Sequence, residues 1–258
     1  MLSHRIIWSM VFLIGLLLVQ QQRAEFTQLW HSPSRLRILF VTASLLAFNW
    51  GLYIYGVNTD QVIETSLGYF INPLVNVVLG FVFLKERLSR NQQLAVVLAA
   101  FGVASFVWHL GKMPWLALGL AFSFGFYGLL RKVAAVAPTV GLAVETMLVM
   151  PVALALVGYW AVTGVGTFSN SWSTALLFIG SGVATSLPLL WFNNAAQRLR
   201  LSTLGFFQYM APSLQLMLGV FLYHEPFTRT HFVTFSFIWS ALIIYSATAW
   251  YQSKRASS

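Results

Sequence analysis

The chain contains no cysteine, which excludes disulfides, thiolate metal ligands and a cysteine nucleophile. Charge is scarce too. Only 8% of the 258 residues are Asp, Glu, Lys or Arg, against about a quarter in soluble domains. So few charges cannot cover a water-facing surface of this size, and the predicted solvent for most of the chain is lipid. No Walker loop, GxGxxG, GxSxG, HExxH or paired-carboxylate pattern occurs, and the five histidines are dispersed. The sequence therefore offers no catalytic residue, no metal site and no cofactor. A membrane enzyme would need acid, base or metal ligands clustered at one interface, and that pattern is missing. The net charge of +9 does not point to nucleic acid, because the basic residues lie in short loops between apolar runs.

What is present is apolar length. Hydrophobic residues make up 58% of the chain, with 22 Phe and 10 Trp suited to lipid-facing sides and interfacial belts. Nine runs are predicted to span as helices, near 4–21, 34–57, 62–84, 90–109, 114–131, 139–163, 173–197, 201–223 and 230–251. The runs show no alternation of period two, which excludes barrel strands. The first run reads as a span rather than a cleavable signal.

One stretch occurs twice. ETSLGYFINPLVNVVLGFVFLKE, Glu64 to Glu86, returns as TLGFFQYMAPSLQLMLGVFLYHE, Thr203 to Glu225. A shift of 139 places Pro73 on Pro212, Asn76 on Gln215, Gly80 on Gly219 and Glu86 on Glu225. Alternate connections hold 12 of the 15 basic residues, among them Arg23, Lys85, Arg131, Arg198 and Lys254. Arg5, Lys112 and Arg229 fall on the other side. The positive-inside rule puts the twelve in the cytoplasm, with the carboxyl terminus. The loop after the first copy is then inside and the loop after the second is outside, so the copies cross in opposite senses. This predicts an all-α polytopic membrane protein with an inverted-topology repeat, a plan of secondary transporters. The repeats are expected at 1–110, with four helices, and 111–258, with five. The fifth run has no counterpart in the first repeat, as if a helix equivalent to LALGLAFSFGFYGLLRK were absent there. A truncated start is the expected reason, a genuine nine-span protein the alternative.

SLGYFINPLVNVVLG followed by LKER, then LALGLAFSFGFYGLLRK, then RLRLSTLGFFQYMAPSLQ, resemble the RarD-type permeases of the EamA family, in the drug/metabolite transporter superfamily. The resemblance covers essentially the whole chain. It implies ten spans in two five-helix repeats, both termini cytoplasmic, and an inner-membrane permease linked by name to chloramphenicol sensitivity. Against that pattern this chain begins near the second span, at LSHRIIW.

The residues nominate a cavity for a small-molecule substrate. Tyr69, Asn72, Asn76 and Gly80 share one helical face at intervals of 3, 4 and 4, and Gln208, Pro212, Gln215 and Gly219 share another at 4, 3 and 4. Pro73, Pro188 and Pro212 are predicted helix breaks, each freeing a carbonyl one turn earlier. A polar stripe beside such a break points to a central site. The competing reading is amides bonding across a dry helix interface. Asn49, Trp50 and Tyr53 form a second lining face, with lipid-facing packing as the alternative. Glu145 is the candidate for proton coupling, unless it pairs with Arg131. Glu64 is a second coupling or gating candidate, weighed against a carboxylate serving the helix dipole in a first turn. His4, at the position matching Glu145, is a gating candidate with Arg5. Glu86 and Glu225 read as loop ion pairs with Lys85, Arg87 and His224. The lipid bilayer is the expected partner. A homodimer is compatible with the sequence, which does not fix the assembly. A non-transporting membrane scaffold is the remaining alternative.

Overall fold

A computed structural model describes residues 2–163, 172–222 and 229–257. Among them the chain is helical, without strands. The elements are α1 (Leu2–Val19), α2 (Arg23–Leu29), α3 (Pro33–Asn58), α4 (Val62–Phe83), α5 (Arg90–Leu110), α6 (Trp115–Ala134), α7 (Pro138–Val162), α8 (Trp172–Arg198), α9 (Leu201–Gln208), α10 (Met210–Phe221) and α11 (Arg229–Ser257). Eight of these are long and apolar enough to cross a membrane. At 1.5 Å per residue the 22 residues of α4 reach about 33 Å, the thickness of a hydrocarbon core. The exposed side chains are of the kind lipid solvates, such as Phe81, Phe83, Trp191 and Phe221.

Three features depart from the expected helices. The run 201–223 is not one continuous span but two shorter helices, α9 and α10, which meet at Tyr209. Pro212 has no N–H to return to the carbonyl of Gln208, and the α-helical ladder stops there. Pro73 and Pro188, expected as breaks, lie inside helices that continue through them. Pro73 is buried, with its carbonyl oxygen against Gly205 of α9, whereas Pro188 is exposed. The connection after α1 is also not a plain loop: it forms α2, whose Leu29 is buried and whose Glu25 Oε1 accepts from Ala137 N at 3.2 Å, at the start of α7.

Local signals set the helix ends. Ser89 and Gln92 make a reciprocal capping box at the start of α5, with Ser89 N donating to Gln92 Oε1 at 3.0 Å. Gly111 ends α5 at φ 69°, a left-handed position that favours glycine. Pro138 opens α7 in the first turn, where no backbone donor is lost.

The chain divides into two compact units, Met1–Ala47 with Leu130–Arg198, and Phe48–Leu129 with Leu199–Ser258. Each unit takes segments from both halves of the sequence, so compactness in space and repetition in sequence divide the chain differently. In the first unit α1 packs on α7 and α8. Its core holds Leu13, Leu17, Leu39, Val140, Val144 and Leu190. At Gly182 a Cβ would stand 2.5 Å from the Trp8 carbonyl carbon, so only glycine lets α8 approach α1 this closely. In the second unit α5 packs on α11, while α4 is gripped by α9, α5 and α10. The α4 face from Leu67 to Gly80 is the most buried surface of any helix that spans.

Candidate functional site

The sequence nominates one polar stripe on α4, and the structure divides it. Asn72 and Asn76 are buried, whereas Tyr69 is 43% exposed and meets the ring of Tyr53 edge-on at 6.4 Å. Asn72 Nδ2 donates to Gln208 Oε1 at 3.1 Å, and Asn76 Nδ2 donates to the same oxygen at 2.6 Å. Gln208 is the last residue of α9, directly before the interruption. Three amides, two from the middle of α4 and one from the break, thus form one cluster. Asn72 sits ten residues into α4, about 15 Å along it, close to mid-span.

The backbone makes this contact possible. A Cβ at Gly205 would stand 2.6 Å from the carbonyl oxygen of Pro73, so α9 rests on α4 with main chain against main chain. The interruption itself is partly repaired. Ser213 N and Ser213 Oγ both donate to the carbonyl of Tyr209, at 3.2 and 2.8 Å, and Trp239 Nε1 of α11 donates to Ser213 Oγ at 3.1 Å. Tyr209 is fully buried, and its hydroxyl has no hydrogen-bond partner among the described residues.

Gln215, paired with Asn76 by the repeat, is exposed and does not join the cluster. The expected single face of Gln208, Pro212 and Gln215 assumed an unbroken helix. The helix is interrupted at Tyr209, between Gln208 and Gln215, and Pro212 is buried whereas Gln215 is exposed. Asn49, from α3, bonds to α6 instead: its Nδ2 donates to Leu120 O and to Ser123 Oγ, both at 2.9 Å. Trp50 is half-buried beside it.

The acidic candidates are paired. Glu64 is buried and forms a salt bridge with Lys112 of the α5–α6 connection. Glu145 is 2% exposed, accepts from Thr42 Oγ1 at 2.6 Å and faces Arg131 Nε at 3.6 Å. Arg131 is fully buried, with Nη2 donating to Pro138 O at 3.4 Å. The pairing with Arg131 that the sequence left open is therefore the one formed. The His4 ring lies 4.6 Å from that of Phe178 of α8, tilted by 31°, and Arg5 Nε donates to Thr185 Oγ1 at 2.9 Å. Arg5 and Phe178, with Thr174, Leu177 and Ser181, line a hollow of about 120 Å³ in the first unit.

Glu86 overturns the expectation of a loop ion pair. Its Oε1 accepts from Leu201 N at 2.6 Å, and its Oε2 accepts from Ser202 N at 3.0 Å and Ser202 Oγ at 2.7 Å. The carboxylate caps α9, meeting the orphan donors and the positive dipole end together. Tyr245 of α11 joins through Ser202 and Thr203. Glu86 lies 115 residues before Leu201, and no local signal could have joined them. The matching Glu225, with His224, lies outside the described residues. Sequence reasoning also passed over Thr42, a single hydroxyl in an apolar run that bonds back to Leu39 O within α3 and across to Glu145 of α7. Among the described residues no group of His, Cys, Asp or Glu is arranged to hold a metal.

Helices of membrane-spanning length with buried amides beside a helix interruption define a polytopic membrane protein, with a feature that transport proteins share. The comparisons name the family. Residues 1–108 match the EamA-like transporter family. The chain is 47% identical over 259 residues to Protein RarD of Escherichia coli, covering 99% of this chain and 87% of that one. It is 44% identical over 263 residues to the uncharacterized transporter YojE of Bacillus subtilis, covering 99% and 86%. Chloramphenicol-sensitive protein RarD of Pseudomonas aeruginosa is 29% identical over 252 residues, covering 96% and 83%. A solved crystal structure matches at TM-score 0.71 and 17% identity, covering 96% of this chain and 87% of that one, and so shares the fold. This chain belongs to the RarD-type group of the EamA-like transporter family and is a multi-pass membrane protein.

Proposed function

We propose that the chain is a secondary-active permease of the bacterial inner membrane that moves a small organic solute by alternating access around α4 and α9–α10. The observation that supports this is the amide cluster at the α9–α10 interruption. In lipid a broken helix is tolerated where protein, water or ligand meets the freed groups, and transporters place substrate there. In this reading Asn72, Asn76 and Gln208 meet the solute, with Asn49, Trp50, Tyr53, Tyr69 and Gln215 lining its path. Glu145 couples movement to a proton by exchanging its pairing with Arg131 for protonation, with Glu64 and His4 as gating groups. The repeats at 1–110 and 111–258 are inverted, and the carboxyl terminus is cytoplasmic. No chemistry on the solute is involved.

The first probe is radiolabelled chloramphenicol, the compound in the name of the Pseudomonas relative. Proteoliposomes under an imposed pH gradient are expected to take it up faster than protein-free vesicles. Glu145→Gln is expected to remove the gradient dependence and keep the downhill flux. Gradient-driven uptake unchanged in that variant would end the coupling assignment. Cysteines introduced singly at Lys85 and Arg229, in a chain that has none of its own, should react from opposite faces of the membrane. Labelling from one face would end the inverted repeat.

A further inference from the structure

We infer that Asn72, Asn76 and Gln208 bind an alkali-metal cation at the α9–α10 interruption. The amide nitrogens of both asparagines are spent on Gln208 Oε1. Their oxygens are not spent: Asn72 Oδ1 and Asn76 Oδ1 are buried and find no hydrogen-bond partner among the described residues. Asn72 is 7% exposed and Asn76 is 0% exposed. A buried acceptor left unmet keeps its whole desolvation penalty. The carbonyl of Gln208 has lost its usual donor as well, because residue 212 is proline. The cluster therefore has acceptors in excess, and what it lacks is positive charge or donors.

The identity of the missing group follows from the ligand set. All the oxygens are neutral: three side-chain amides and one main-chain carbonyl. Calcium sites are built with carboxylates, and transition metals favour nitrogen and sulfur. Neutral oxygens at mid-span suit an ion of single charge that sheds its water at moderate cost. The carboxyl end of α9 adds negative dipole where Gln208 stands. Unwound carbonyls and half-helix carboxyl ends are places where transporters hold such ions. A single water is a poorer match, since its two hydrogens cannot serve three acceptors. Rotation about the terminal torsion of each asparagine, a broad and nearly two-fold torsion, turns both Oδ1 atoms toward Gln208 Oε1. The oxygens then converge, and a cation between them removes their mutual repulsion. The site does not depend on which solute is moved.

The test uses the full chain in nanodiscs, melted in sodium, potassium and choline chlorides at equal ionic strength. Sodium or potassium is expected to raise the unfolding midpoint in a saturable way, and the arm that does so identifies the ion. At a hundredfold excess over its Kd the ion raises the folded-to-unfolded ratio about a hundredfold. Gln208→Leu strands the Nδ2 donors of Asn72 and Asn76 and should lower the midpoint in choline, but it should erase the difference between the salts. Asn76→Asp, which places a negative charge on the ion, should shift half-saturation to lower concentration. Superimposed melts in all three salts overturn the assignment, as does a salt effect that persists in Gln208→Leu. Because this readout is equilibrium stability, it is separate from uptake: a protein that carries no chloramphenicol can still show the cation effect, and the reverse.

Discussion

Arg131 and Glu145 make a buried charge pair inside the first unit, and removing one partner should be far worse than removing both. Arg131 is 0% exposed and Glu145 2%. Arg131→Met keeps the Thr42 hydroxyl 2.6 Å from the Glu145 carboxylate but removes the guanidinium nitrogen at 3.6 Å. Glu145→Leu leaves the guanidinium with the Pro138 carbonyl at 3.4 Å. Breaking a buried pair from one side costs about 3–5 kcal/mol, whereas replacing both partners by apolar groups of similar size is often neutral. At roughly 2–4 °C per kcal/mol for a chain of this size, each single variant should lose about 6–20 °C in unfolding midpoint. The double variant should recover most of that loss. The assay is thermal unfolding of detergent-solubilised protein followed by tryptophan emission, with the four proteins of the cycle run side by side. A single variant within about 2 °C of the parent would refute the charge-pair argument, at less than about 1 kcal/mol. So would a double variant whose loss equals the sum of the two singles. Gly141 sharpens the case, since a methyl there would overlap the Arg131 guanidinium; Gly141→Ala should be destabilising in the parent and milder with Arg131→Met.

Other contacts give smaller and separable effects. Gly205→Ala pushes a methyl to 2.6 Å from the Pro73 carbonyl oxygen and should cost about 1–3 kcal/mol in the same melts; a neutral result would mean that α9 slides freely on α4. Glu86→Ala removes three hydrogen bonds to a carboxylate at the start of α9 and should cost about 1.5–3 kcal/mol, with Glu86→Gln retaining part. Faster proteolysis near residue 200 would report the same loss. Lys112→Met breaks the pair with Glu64, but the lysine side chain is 57% exposed, so the cost should stay below about 1 kcal/mol. A drop of more than about 4 °C would assign that pair a larger structural role.

How much was legible in the sequence depended on the range over which each residue acts. Span positions were legible because a bilayer imposes a minimum apolar length: eight of the nine runs coincide with single helices of spanning length, and 201–223 forms two shorter ones. The interruption near Pro212 was legible because the loss of a backbone donor is a property of one residue. Pro73 and Pro188 carry the same chemistry yet leave their helices continuous, so the residue type alone did not say which proline would interrupt its helix. The amides were singled out by spacing alone, but spacing could not say that Asn72 and Asn76 would share one oxygen of Gln208. Glu86 was assigned to its charged neighbours in the chain, and its partners lay more than a hundred residues away.

By itself the sequence determined the solvent, the helical class, the family and the places where polar groups stand inside apolar spans. These follow from composition, hydrophobic length and motif, each readable within a few turns of chain. The tertiary structure alone decided which of those polar groups meet, that Glu145 is held by Arg131 and Thr42, and that α9 is capped from the α4–α5 connection. Such pairings are set by how close two helices can approach, and closeness is fixed by glycines and side-chain volumes on both partners at once.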